Sequence, residues 1–71
     1  MTAANMRPAF EVMGHTFRRG EVSYVGPAQS IGMGNTGHIN FIAGGSTMYA
    51  SFDTFERVEQ FRTALLKELG W

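Results

Sequence analysis

Two short stretches hold the residue types best suited to chemistry. Gly32-Met33-Gly34-Asn35-Thr36-Gly37-His38 sets three glycines around polar side chains, and Arg18-Arg19 offers two guanidinium groups. Glycines let successive backbone N–H groups converge on an anion, with Asn35 and Thr36 adding side-chain contacts. The planar fork of an arginine matches a phosphate or carboxylate. Arg18, Arg19, Gly34, Asn35, Thr36, Gly37 and His38 are therefore the candidate binding set for a small anionic ligand such as a nucleotide. Each has a plainer alternative: the glycine string as a hairpin loop, and the arginines as a solvated strand end with Arg18 on Glu11. Adjacent strand residues point to opposite faces, so both arginines reach one site only if Gly20 bends the chain.

The string matches G-x-G-x-x-G, but a dinucleotide fingerprint needs a helix directly after it, whereas His38 to Ala43 reads as strand. A kinase glycine-rich loop does join two strands, yet 71 residues leave no room for the lysine, metal-binding and catalytic-loop elements. His15 and His38 are the only histidines and there is no cysteine, so no metal-ligand set has readable spacing. No Ser, His and Asp set appears, and Glu56, Glu59 and Glu68 fall on the polar side or flanks of a helix. The expectation is a non-enzymatic protein with no cofactor.

These residues must be positioned by a hairpin and a helix. A Gly44-Gly45 loop suits a two-residue primed turn, and counting from it pairs Ala43 with Ser46, Ile42 with Thr47, Phe41 with Met48, Asn40 with Tyr49, Ile39 with Ala50 and His38 with Ser51. Alternation then puts Ile39, Phe41, Ala43, Met48, Ala50 and Phe52 on a core face, with His38, Asn40, Ile42, Thr47, Tyr49 and Ser51 opposite. Asp53 to Leu69 reads as an amphipathic helix with Asp53 as cap, Glu56 closing a capping box and Thr54 as rival cap. Phe55, Val58, Phe61, Leu65 and Leu69 form its apolar stripe, and Gly70 sits where a left-handed C-terminal cap belongs, with Trp71 folding back beyond it.

Upstream, Phe10 to Met13 and Thr16 to Arg18 read as strands about a Gly14-His15 turn that pairs Val12 with Phe17 and Glu11 with Arg18. Glu21 to Val25 continues as strand, with Val22 and Tyr24 on one face and Ser23 and Val25 on the other; Ala28 to Met33 is weak, with Ile31 and Met33 as its strand candidates. Residues 1–7 read as a flexible N-terminal arm and 8–71 as a single α+β domain. Its fold is an antiparallel sheet of four to five short strands with one C-terminal amphipathic helix packed on one face. Phe10, Phe41, Phe52, Phe55 and Phe61 are the expected aromatic core.

The run Phe10 to Phe17, then Glu21 to Val25, the Gly44-Gly45 hairpin and the terminal helix resembles the layout of the small flagellar FlbD-like proteins. The resemblance covers most of the chain as a pattern of strand, glycine turn and helix, and it implies that layout alone.

Six basic and six acidic side chains cancel, which argues against the broad positive field of a nonspecific nucleic-acid binder. No stretch reaches the roughly 20 apolar residues of a membrane span, and Met1 to Arg7 lacks a hydrophobic signal core, so a cytoplasmic protein with no membrane contact is expected. A domain this small buries only about 60% of its unfolded surface, and a homo-oligomer would relieve that. Two functions stay open. The first is an oligomeric binding protein that sequesters a small anionic or nucleotide ligand, in the manner of a phage sponge. The second is a protein–protein adaptor or regulator that docks a partner through Tyr24, Ile42, Tyr49 and Trp71.

Overall fold

The C-terminal hairpin supplies the centre of the sheet. In the computed structural model, which describes residues 9–30 and 36–71, strands β5 (Gly37–Ala43) and β6 (Ser46–Phe52) pair with the register counted from the loop, Ala43 opposite Ser46 through His38 opposite Ser51. Gly44 and Gly45 turn the chain at φ 60° and 81°, the left-handed values a primed turn requires.

The other flank of β5 is occupied twice. β3 (Val22–Val25) runs antiparallel beside its second half, and the two-residue β4 (Gln29–Ser30) beside its first. They act as one interrupted edge strand, broken at Gly26-Pro27, so the sheet has three rows. At the break Gly26 donates to the Asn40 carbonyl at 2.8 Å and accepts from Arg62 Nε at 2.9 Å. A Cβ on Gly26 would lie 2.9 Å from the Asn40 carbonyl oxygen and 2.6 Å from its side-chain Oδ1, so the close backbone approach here favours glycine.

Two expectations about the early strands need correction. β1 (Ala9–Val12) and β2 (His15–Arg18) form a separate two-stranded ribbon whose turn is Met13-Gly14, pairing Val12 with His15 and Phe10 with Phe17. This register stacks Phe10 on Phe17 with ring centroids 5.6 Å apart and sends Phe17 edge-on to Phe41 at 5.2 Å. Aromatic packing thus outweighs a left-handed Met13 at φ 47°, which costs roughly 1–2 kcal/mol. Glu11 now faces Thr16 rather than Arg18. In β3 a bulge at Ser23 inserts one residue opposite Ala43, so Val22 and Tyr24 lie on opposite faces instead of sharing one. The antiparallel-plus-helix class holds, with six strands in two sheets among the described residues.

Helix α1 (Phe55–Leu69) starts one residue later than a cap at Asp53 would allow. Thr54, extended at φ −136° and ψ 149°, is the N-cap, and its hydroxyl accepts from the Arg57 N–H at 3.1 Å. Phe52 ends β6 opposite Gly37, and with Thr54 as cap Glu56 falls too early for a capping box. Gly70 closes the helix at φ 75°, donating to Lys67, while the Trp71 N–H reaches the Leu66 carbonyl at 3.0 Å. The Trp71 indole stays 60% exposed rather than folding onto the last turn.

Val58, Phe61 and Leu65 of α1 are fully buried against Ile39, Phe41 and Ala50, while the ribbon brings Phe10, Val12 and Phe17 to the same core. Each such side chain contributes roughly 1.5–3 kcal/mol by burial. Phe17, absent from the expected core, belongs to it, whereas Phe52 and Phe55 are only half-buried. Helix and ribbon together cover one face of the larger sheet. They stop short of the Gly44-Gly45 end, where a recess of about 240 Å³ between Phe17, Phe41 and Met48 leaves Met48 46% exposed instead of buried.

Candidate functional site

Among the described residues of the anion site expected from the sequence, Arg18, Arg19 and Gly37 lie apart from one another. Arg19 bends under the ribbon to the C-terminal end of α1. There Nη1 donates to the Glu68 carbonyl at 2.6 Å, Nη2 lies 3.6 Å from the Glu68 carboxylate, and the guanidinium sits 5.1 Å from the Phe10 ring centroid. A cation at a helix C-terminus meets the negative end of the dipole, so Arg19 serves as a clamp on the last turn. Arg18 is exposed on the outer side of the ribbon, the side away from Phe10 and Phe17. Gly37 lies at the opposite end of the helix. A Cβ on it would meet Val58 Cγ2 and the Gln29 carbonyl at 2.9 Å and Phe55 Cα at 3.2 Å. Phe55 and Glu68 are separated by about 20 Å of helix, which divides Arg19 from Gly37. Gly37 is therefore a packing glycine beneath α1.

Gly34 and Asn35, like Ile31 and Met33, lie outside the described residues. Thr36 is exposed, and His38 is half-buried on the sheet face opposite the helix, edge-on to Tyr49 with ring centroids 6.5 Å apart. His15 packs instead into the core side, 5.3 Å from the Phe61 ring and 5.9 Å from Phe52.

The sheet face away from α1 does bring expected residues together. Tyr24 pairs with Ile42, Ile42 with Thr47, Asn40 with Tyr49, Gln29 with His38 and His38 with Ser51, and none of these eight open-face residues is Asp, Glu, Lys or Arg. Strands β3 to β6 contain no Asp, Glu, Lys or Arg at all. Tyr24 is 49% and Tyr49 67% exposed, flanking a half-buried Ile42. No described element covers this face. Trp71, grouped with these residues in the sequence, lies at the far end of α1 and is not among them.

Arg62 was not legible as a positioned residue, because its partner is the main-chain carbonyl of Gly26, 36 residues away. The described residues contain no cluster of three or more His, Cys, Asp or Glu able to hold a metal, and no helix among them is long and apolar enough to cross a membrane. Comparison with protein-family models, curated proteins and solved structures finds no match to this chain.

Proposed function

We propose that this is a non-enzymatic binding module that docks a protein partner through the face of its larger sheet that no described element covers, the partner presenting an uncharged surface. The observation that carries the reading is the pair of exposed tyrosines, Tyr24 and Tyr49, set around Ile42 on a face without a formal charge. Tyrosine enrichment and charge depletion are the compositional marks of an interface core. Amphipathic rings provide contact area at low entropic cost and tolerate water when the partner is absent. Sequestration of an anion is the weaker alternative, since Arg18, Arg19 and Gly37 do not converge.

Association driven by such a face is nearly indifferent to salt, whereas anion or nucleic-acid binding weakens steeply with it. The test is affinity capture with the wild-type chain and with Tyr24→Lys, at salt from about 0.05 to about 0.5 M. The expected result is a partner retained across the whole range and lost from the Tyr24→Lys variant with an unchanged circular dichroism spectrum. Equal capture by the variant, or release of the partner by salt alone, would reject the face as the docking surface.

A further inference from the structure

We infer that β6 pairs edge to edge with β6 of a second copy, antiparallel about a two-fold axis at Tyr49, joining two larger sheets into one. The inference rests on the backbone of β6 and is separate from the docking proposal, although the pairing would double the face available to a partner.

Among the described strands, β6 pairs only with β5, so no described strand pairs with its outer edge over seven residues, Ser46–Phe52. Natural edge strands are protected by charges, proline, bulges, shortness or a covering element. Ser-Thr-Met-Tyr-Ala-Ser-Phe has no charge, no proline and no register break, and it is as long as the central strand. The opposite edge of the same sheet has several such devices: it is split into strands of four and two residues, bulged at Ser23 and interrupted by Pro27. One blunted edge and one bare edge give a closed pair rather than a growing fibre.

The register of the β5–β6 hairpin identifies which backbone groups face outward. The pair that closes a two-residue hairpin, Ala43 with Ser46, is hydrogen-bonded, and bonded and non-bonded pairs then alternate. Thr47, Tyr49 and Ser51 therefore direct their N–H and C=O groups away from β5. An axis at Tyr49, the middle of the strand, sets Tyr49 against Tyr49 and Thr47 against Ser51 of the other copy, using about six inter-chain hydrogen bonds. These are aromatic–aromatic and hydroxyl–hydroxyl cross-strand pairs, both of favourable type. No like charges meet, because neither β6 contributes a charge.

A charge swap tests both the edge and its register. Light scattering of the full chain should give twice the 7.8 kDa chain mass for wild type. Thr47→Lys with Ser51→Lys places lysine opposite lysine twice and should return the single-chain mass. Thr47→Lys with Ser51→Glu places opposite charges together and should restore the dimer. Within one copy positions 47 and 51 are about 13 Å apart along the strand, beyond the screening length, so the two variants burden the monomer alike. Tyr24→Lys, on the other edge, should stay dimeric even where partner docking is lost, which separates a failure of this inference from a failure of the docking proposal. Amide exchange of unsubstituted protein is a second readout: the N–H groups of Thr47, Tyr49 and Ser51 should be slowed more than about 100-fold. A wild-type chain of single mass, a dimer that survives the double lysine variant, no rescue by the Lys/Glu variant, or fast exchange at Tyr49 would each overturn the pairing.

Discussion

Gly37→Ala separates a glycine needed for ligand approach from one needed for packing. The added Cβ would sit 2.9 Å from the Gln29 carbonyl oxygen, 2.9 Å from Val58 Cγ2 and 3.2 Å from Phe55 Cα. Two of these three neighbours are backbone atoms, so no rotamer change relieves the contact and α1 or β4 must move. Overpacking of this kind costs about 1–3 kcal/mol. A domain of 71 residues has about 4–10 kcal/mol of total stability, so the loss is a large share. With a urea dependence near the small-protein value of about 1 kcal/mol per molar, the midpoint should fall by about 1–3 M. The assay is urea unfolding followed by far-ultraviolet circular dichroism at one fixed protein concentration, since any self-association makes stability concentration-dependent. Val58→Ala removes one of the clashing atoms, so in the double variant the two costs should sum to at least about 0.5 kcal/mol less than the separate losses. A midpoint within about 0.3 M of wild type, or strictly additive losses, would refute the packing role and return Gly37 to the loop.

The remaining substitutions test how the ends of elements are held. Thr54→Ala should cost about 1 kcal/mol and lower the melting temperature by about 4–8 °C. Asp53→Ala should cost under about 0.5 kcal/mol, because its pair with Arg57 is exposed at 3.9 Å; the reverse order in thermal melts would restore Asp53 as the cap. Met13→Asn should stabilise by about 1 kcal/mol, since Asn-Gly suits a primed turn whose first residue lies at φ 47°. A lower melting temperature would mean that the Met13 side chain contributes more by packing than its backbone loses by strain.

The parts of this fold that can be read from the chain are those decided by local chemistry. A two-residue Gly44-Gly45 loop leaves one way to count the hairpin, and every pair from Ala43–Ser46 to His38–Ser51 follows. Gly70 ends the helix for an equally local reason. The β1–β2 ribbon is different, because Met13-Gly14 and Gly14-His15 are both acceptable loops. The choice between them falls to Phe17, whose ring meets Phe41 and Phe61 from distant elements. The bulge at Ser23 has no composition signal of its own. It exists because Val22 and Val25 both reach the core while Tyr24 is turned out beside Ile42. A strict alternation cannot satisfy all three. The grouping of Tyr24 with Ile42 and Tyr49 was legible, but the way Tyr24 reaches their face was not, since it depends on that one extra residue.

The arginines show how little residue type alone says about where a charge is used. Arg19 and Arg62 are read in the sequence as charges, but each binds a main-chain carbonyl, of Glu68 and of Gly26, across 49 and 36 residues. Both carbonyls lie where regular pairing stops, at the last turn of α1 and at the break between β3 and β4. There a long side chain with several fixed donors satisfies a backbone group that neither helix nor sheet can. Committing these cations to the frame, and placing every acidic residue outside β3 to β6, leaves the larger sheet free of fixed charge. An uncharged face with tyrosines attracts apolar partners with little dependence on salt, and an uncharged edge has nothing to repel another strand. The same distribution of charge that commits Arg19 and Arg62 to main-chain carbonyls leaves the face and the edge of this sheet without fixed charge.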